Sequence, residues 1–196
     1  MEVKEIIKKV CNYLQLDEVK QYLIELEKYE NEQLDTQPVL EEDVSNNLNL
    51  LIECANNICI HIATNFIPLY NYENICIENN CFDISKLEKK LFKIKKITNK
   101  NGLVSFKLIN NNIVCDSGNV NILYSYYPQS FGVNDEILDF NGKVSVLGYC
   151  YGIASEFCLS KGDYEQAYFW DDKYKELLKN CSRRSDYLKL KNRRWF

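Results

Sequence analysis

The sequence predicts an α+β fold: a helical bundle with a small inserted antiparallel β subdomain and an extended C-terminal tail. Apolar residues recur at spacings of three and four before residue 69 and again after residue 143, which is helical periodicity. Between residues 70 and 128 the period changes to two, which is typical of strands. The expected parts are an N-terminal helical part of the bundle (1–69), the β subdomain (70–128), a loop and C-terminal helical hairpin that complete the bundle (129–181), and a basic, aromatic docking tail (182–196).

Three helices are expected in the N-terminal part. Two short helices cover residues 2–16 and 17–28, and a long one covers residues 43–66. The long helix ends before Pro68, because the residue that precedes a proline is disfavoured in the helical region. The segment between, residues 29–42, is polar and acidic, and we interpret it as a surface linker. The apolar positions that define the long helix are Val44, Leu48, Leu51, Ala55, Ile58, Ile62 and Phe66.

Turn signals divide residues 70–128 into short strands. Asparagine and glycine clusters stand at 79–80, 99–102, 110–112 and 116–118, and residues of this kind favour hairpin turns. The last strand, 119–127, alternates with Val120, Ile122, Tyr124 and Tyr126 on one face. We therefore predict a small antiparallel meander, followed by an irregular loop over residues 129–142.

A helical hairpin is predicted over residues 143–181. Gly162 ends its first helix, and Asp163 begins the second as an N-cap, with Gln166 placed to complete a capping box. The first helix, 143–159, has an apolar stripe of Val144, Leu147, Tyr151, Ala154 and Cys158. The second has an aromatic face of Tyr164, Ala167, Tyr168, Trp170, Tyr174, Leu177 and Leu178.

The residue content offers no catalytic constellation. His61 is the single histidine, and there is no Cys-x-x-Cys and no glycine-rich phosphate loop. The nine cysteines lie mostly within apolar patterns, and we expect all of them to be free thiols. We therefore expect a protein that is not an enzyme and holds no cofactor and no metal. No apolar run has the ~18 residues of a membrane span, and no signal-peptide core is present, so we expect a soluble, cytosolic product without a membrane partner.

Charge is concentrated at the C-terminus. The chain has a net charge of −4, but residues 182–196 contain six basic residues and one acidic residue, and all four arginines lie there. The planar arginine fork suits carboxylates, backbone carbonyls or phosphates, so the tail fits either nucleic acid or an acidic groove of another protein or of a second copy. The candidate partner-interface residues are Arg183, Arg184, Tyr187, Arg193, Arg194, Trp195 and Phe196.

Three stretches carry a resemblance to a known family. They are residues 151–159 (Tyr-Gly-Ile-Ala-Ser-Glu-Phe-Cys-Leu) with the Arg-Arg-Trp at 193–195, residues 62–69 at the end of the long helix, and residues 120–128 in the last strand. In these stretches and in the order of its elements, the chain resembles the head-to-tail connector (adaptor) proteins of tailed bacteriophages and prophages of Gram-positive bacteria. The many cysteines and the acidic segment 29–42 depart from the family pattern.

The resemblance implies a structural virion component of the phage neck, assembled in the bacterial host cytoplasm. Such an adaptor is a homo-oligomeric ring, commonly of twelve subunits, that joins the portal protein to a tail-side neck protein. It implies a helical bundle that faces the channel, a β subdomain outside it, a tail that grips the portal, and DNA that passes without specific binding. Two alternatives remain open: a cytosolic regulatory or DNA-associated protein that acts through its basic C-terminal tail, and an enzyme whose site the sequence does not reveal.

Overall fold

The structure, a computed structural model, describes residues 2–32, 38–138, 140 and 142–186 and has an α+β fold. Its helices are α1 (Val3–Leu14), α2 (Asp17–Glu32), α3 (Glu42–Asn65), α4 (Val146–Lys161) and α5 (Tyr164–Asp186), with a 3-10 turn at Ile84–Lys86. Its strands are β1 (Tyr70–Ile77), β2 (Cys81–Asp83), β3 (Leu91–Asn99), β4 (Gly102–Leu103), β5 (Lys107–Ile109), β6 (Asn112–Val114) and β7 (Gly118–Tyr126). No helix within these residues is both long and apolar enough to cross a membrane.

The chain divides into two compact units. The helical unit contains the residues up to Cys59 and those from Ser130 onward, and the β unit contains Ile60–Gln129. Helix α3 contributes residues to both units. The mixture of helices and a small antiparallel sheet region agrees with the α+β fold class that the sequence predicts.

Helix α4 lies at the centre of the helical unit, where it packs against α1 and α5. At Gly152 the neighbouring helices approach so closely that an added Cβ would lie 3.0 Å from Ile58 on α3 and 3.0 Å from Tyr174 on α5. Small residues therefore determine which face of α4 is buried. This corrects the predicted apolar stripe, because Leu147 is 44% exposed, whereas Gly148 and Gly152 are buried.

Capping residues define the ends of the hairpin helices, and those at Gly162 and Asp163 were predicted whereas the one at Ser145 was not. The Ser145 side chain accepts a hydrogen bond from the Gly148 amide at 3.2 Å and begins α4 at Val146 rather than at residue 143. Gly162 ends α4 in the left-handed region at φ 81°, as predicted. The Asp163 carboxylate accepts a hydrogen bond from the Gln166 amide at 3.1 Å, which confirms the predicted cap of α5.

The C-terminal end of α5 differs from the prediction. The predicted hairpin ends at Cys181, but α5 continues to Asp186. Residues 163–186 contain neither glycine nor proline, so nothing in the local sequence stops the helix. The first five residues of the predicted tail therefore belong to the hairpin.

The loop 129–142 is held to the helices by side-chain and backbone hydrogen bonds. Asn56 on α3 donates to the Phe131 carbonyl oxygen at 3.0 Å and accepts from the Phe131 amide at 3.0 Å. The Tyr149 hydroxyl donates to the Leu138 carbonyl oxygen at 2.7 Å. Phe140 is buried and stacks on Tyr149 with ring centroids 6.5 Å apart. This predicted loop is irregular but packed.

The β unit contains two antiparallel sheets rather than one meander. The first has the strand order β1-β7-β3-β4 and the second the order β2-β6-β5. β1 pairs with β7 along its whole length, from Tyr70 opposite Ser125 to Ile77 opposite Gly118. The meander prediction is wrong because turn signals reveal hairpins between neighbours in sequence, whereas the pairing of the first and last strands is non-local. The core contains Ile75, Ile77, Leu87, Ile94, Ile97, Ile113, Cys115, Val120, Ile122 and Tyr124.

A hydrogen-bonded tyrosine lies in this core. The Tyr124 hydroxyl donates to Glu73 at 2.8 Å and accepts from the Asn71 side chain at 3.1 Å and from the Lys89 amide at 3.2 Å. Burial raises the pKa of Tyr124, so the hydroxyl keeps its proton at neutral pH.

Substituting Tyr124→Phe should lower the free energy of unfolding by about 1–3 kcal/mol, because three partly buried polar groups lose their partner. Chemical denaturation of the two proteins measures the difference. Tyr126→Phe is the matched control, since Tyr126 lies on the same strand and its hydroxyl makes no hydrogen bond to the described residues. Equal losses in both variants would contradict a specific role of the network.

The nine cysteines, all within the described residues, are free thiols in the structure. Burial raises the pKa of Cys11, Cys54 and Cys59 to about 12, so these thiols are not nucleophilic at neutral pH. Cys76 and Cys81 are exposed.

We expect an alkylating reagent at pH 8 to modify Cys76 and Cys81 first, because thiolate formation and access both control the reaction rate. Peptide mass spectrometry after short exposure identifies the modified positions. The buried cysteines should react only after denaturant is added. Early modification of Cys11 or Cys59 in the folded protein would show that the helical unit opens readily.

Candidate functional site

An aromatic cluster fixes α5 to the rest of the helical unit. The Trp170 ring lies 5.3 Å from Tyr13 on α1 and 5.5 Å from Tyr151 on α4, measured between ring centroids. Phe169 contacts Trp170 edge-on at 4.9 Å, and the Lys173 ammonium lies 4.2 Å above the Phe169 ring. The buried Trp170 indole nitrogen has no hydrogen-bond partner among the described residues, so ring packing and the Lys173 ammonium, 5.1 Å from the Trp170 ring centre, hold this side chain.

Contacts continue along α5 toward its C-terminus. Tyr174 and Leu178 are buried, and the Cys181 thiol donates to the Lys143 carbonyl oxygen at 2.8 Å. The helix has 23 residues and therefore a length of about 35 Å. Its last described turn follows directly on this packed region.

The backbone of this last turn carries Arg183 and Arg184, two of the predicted interface residues. The remaining predicted residues lie outside the described part of the chain: Tyr187, Arg193, Arg194, Trp195 and Phe196. Of the predicted interface, the structure therefore describes only the backbone of the first arginine pair.

An acidic groove of about 440 Å³ lies between α2 and residues 39–44. Its carboxylates are Asp17, Glu18, Glu25 and Glu41, and none of them forms an ion pair with the described residues. Farther along α2, by contrast, Glu27 pairs with Lys8 and Glu30 accepts a hydrogen bond from Lys4 at 2.9 Å, which raises the pKa of Lys4. The groove is therefore a local concentration of uncompensated negative charge.

The turn of the hairpin exposes apolar side chains. Leu159 is 56% exposed, and Tyr164 and Tyr168, one helical turn apart on α5, are 63% and 72% exposed. The predicted aromatic face of α5 is therefore two surfaces. One contains the buried Ala167, Trp170, Tyr174 and Leu178, and the other, which we term the hairpin patch, contains Leu159, Tyr164 and Tyr168. Exposed patches of this kind are typical of contact surfaces.

Neither the acidic groove nor the hairpin patch was predicted from the sequence. The groove has a partial signal, because Asp17, Gln21 and Glu25 recur at spacing four on α2. The hairpin patch has none, since Tyr164 and Trp170 are equally suited to a core by residue type. Only the position of α5 on α4 separates them.

The described residues contain no group of three or more histidine, cysteine or carboxylate side chains that could hold a metal ion. The His61 ring lies 5.4 Å from Phe66 in an edge-on contact. Comparison of the chain with models of known protein families finds no match, and comparison with curated proteins finds no relative. The fold thus defines an α+β protein of two compact units, and the features that stand out on its surface are patches of charge and exposed aromatic residues.

Proposed function

We propose that this protein is a structural adaptor of a tailed-phage neck, a homo-oligomeric ring that joins the portal to the tail-side neck protein and lets DNA pass. The observation that carries the proposal is the segregation of charge. The helical unit up to residue 181 contains 10 basic and 22 acidic residues, a net charge of −12, whereas residues 182–196 carry +5. The resemblance of residues 151–159 and 193–195 to the connector family supports the same function.

An acidic helical unit suits a channel for DNA. Phosphates that slide past carboxylates are not retained, because binding to DNA depends on lysine and arginine contacts that release counterions. The uncompensated carboxylates of the acidic groove contribute to this repulsion. The hairpin patch offers apolar surface for a neighbouring copy in the ring.

Residues 182–196, which we term the basic segment, suit attachment to a partner. It combines arginines with Trp195 and Phe196, and arginine and aromatic residues dominate the energetics of most interfaces. Because α5 is packed as far as Cys181, the helix that precedes residues 187–196 is anchored to the helical unit. An anchored attachment point lowers the entropy lost on docking. No catalytic step is needed for this function.

Co-expression with the portal protein from the same genome tests the proposal. An adaptor should co-purify with the portal, and electron microscopy should show annular particles larger than the portal alone. A protein that remains a single subunit and shifts duplex DNA at low salt would instead be the DNA-associated alternative. A melting shift with a metabolite would indicate an enzyme.

The chain truncated after Asp186 should show no measurable affinity for duplex DNA at ~0.15 M salt, because its helical unit is strongly acidic. Fluorescence anisotropy with a labelled duplex measures this, and the full chain is the control. Micromolar binding by the truncated chain would contradict a DNA channel lined by this unit.

A further inference from the structure

Two irregularities in β3 place its lysines on one face of the sheet. Ile94 and Ile97 are both buried, although residues three apart on a regular strand point to opposite faces. The register of β3 on β7 shifts between Leu91 and Lys93 and again between Ile94 and Lys96. Such bulges insert an extra residue and realign the side chains. As a result Lys93 and Lys96, also three apart, share the face opposite the core.

The pairing of β1, β7 and β3 arranges this face in three rows. Tyr70, Ser125 and Lys93 form the first row; Tyr72, Leu123 and Lys96 form the second; Asn74, Asn121 and Thr98 form the third. We term these nine residues the outer sheet face. None of them is acidic. One edge thus presents tyrosines and the other presents lysines.

Both kinds of side chain are accessible. Tyr70 is 49% exposed and Tyr72 is 60% exposed. Lys93, Lys95 and Lys96 are exposed as well, and none of them forms an ion pair with the described residues. The Lys95 ammonium lies 4.5 Å from the centre of the Tyr70 ring, which brings a positive charge next to the two tyrosines of β1.

The surrounding sequence reinforces the positive charge. Residues 86–100 contain seven lysines and one acidic residue, Glu88. The β unit as a whole has eight basic and five acidic residues, a net charge of +3, in contrast to the acidic helical unit. Glu73 is the nearest carboxylate on β1, and it faces the core side, where it accepts the hydrogen bond of Tyr124. The outer sheet face is therefore complementary to an anion that also offers flat rings.

We propose that the outer sheet face binds single-stranded nucleic acid. Tyr70 and Tyr72 stack on bases, and Lys93, Lys95 and Lys96 contact phosphates. A flat aromatic column beside a basic column is the arrangement that sheet-based readers of single strands use. The two tyrosines lie two residues apart on one strand, about 6.8 Å, which is twice the rise per nucleotide of a stacked strand, about 3.4 Å. The bound strand is accordingly extended.

The geometry favours a single strand over a duplex and over an acidic protein. In a duplex the base faces are stacked on each other and cannot reach tyrosines on a flat sheet. Three lysines alone supply few phosphate contacts, so they give a duplex little binding affinity. An acidic peptide pairs with the lysines, but its carboxylate side chains offer no ring to stack on Tyr70 and Tyr72. This site is separate from the basic C-terminal segment and does not depend on the neck function.

Fluorescence anisotropy of the full chain with labelled oligothymidylate of about 12 nucleotides tests the proposal, with oligouridylate as the RNA probe. Tyr70→Ala with Tyr72→Ala should weaken binding at least about tenfold. The pair Tyr70→Phe with Tyr72→Phe should bind like the original chain, because phenylalanine keeps the stacking ring. The control is Leu147→Ala, which removes an exposed apolar side chain of α4 outside both the outer sheet face and the hairpin patch and should leave the affinity unchanged.

The salt dependence of binding tests the role of the lysines. Changing Lys93, Lys95 and Lys96 to glutamine should reduce the slope of log Kd against log salt by about 2, since each phosphate contact on a single strand contributes about 0.7. The same change at the exposed Lys9, Lys28 and Lys161 should leave the slope unaltered. Unchanged affinity in the tyrosine-to-alanine pair would overturn the site. Equal competition by polyglutamate or by a duplex would also overturn it, the former in favour of an acidic protein partner.

Discussion

Deleting residues 187–196 is expected to abolish co-assembly with the portal and to leave the fold intact. The cut follows Asp186, where the described part of α5 ends, so the packed contacts of Tyr174, Leu178 and Cys181 are retained. The deletion removes two arginines and the terminal Trp195 and Phe196. Truncating anchors of this kind costs on the order of 1–4 kcal/mol each at an interface, so the loss of several should eliminate binding.

Co-purification with the portal and the melting temperature should be measured on the same preparations. A narrower variant, Arg193→Lys with Arg194→Lys, keeps the charge and removes the guanidinium fork, so it distinguishes bidentate recognition from simple attraction. Trp195→Ala tests the aromatic anchor alone. A truncated chain that still assembles with the portal would place the attachment surface elsewhere, and one that no longer folds would assign the segment a structural role.

Leu178→Ala should produce a large loss of stability in the hairpin. Leu178 is fully buried on α5, and removing a buried leucine costs about 2–5 kcal/mol because the cavity is only partly refilled. For a chain of this size the melting temperature should fall by about 2–4 °C for each kcal/mol. Thermal unfolding followed by circular dichroism measures the shift.

The matched control is Leu159→Ala on α4. Leu159 is 56% exposed and belongs to the hairpin patch, so its truncation should change the stability by less than about 0.5 kcal/mol. Similar shifts in the two variants would mean that the hairpin is not packed as described. In the ring proposal Leu159→Ala should instead weaken assembly, because Leu159 belongs to the hairpin patch that contacts the neighbouring copy.

Local chemistry made the helix ends of the hairpin predictable. Gly162 takes the left-handed conformation that glycine permits at a C-cap, and Asp163 offers a carboxylate to the amides of the next helix. These effects act within a few residues, so the sequence alone reveals them. The same holds for the concentration of all four arginines in the last fourteen residues, which requires no structure to be seen.

The end of α5 was only partly predictable from the sequence. The abrupt change of charge after Cys181 indicates where the chemistry of the chain changes, but charge does not stop a helix. With no glycine or proline nearby, the backbone continues to Asp186. The boundary of the predicted docking tail was therefore a boundary of composition and not of conformation.

Tertiary structure decided the features that depend on distant partners. The pairing of β1 with β7 brings Tyr70 beside Ser125, and the bulges of β3 then bring Lys93 into the same row. Neither alignment follows from alternation, because a bulge changes the face of every residue after it. The sequence by itself determined the fold class, the hairpin caps and the charge distribution, which arise from local propensity and composition. Only packing determined which tyrosines are buried, which lysines share a face, and hence which surfaces are available to partners.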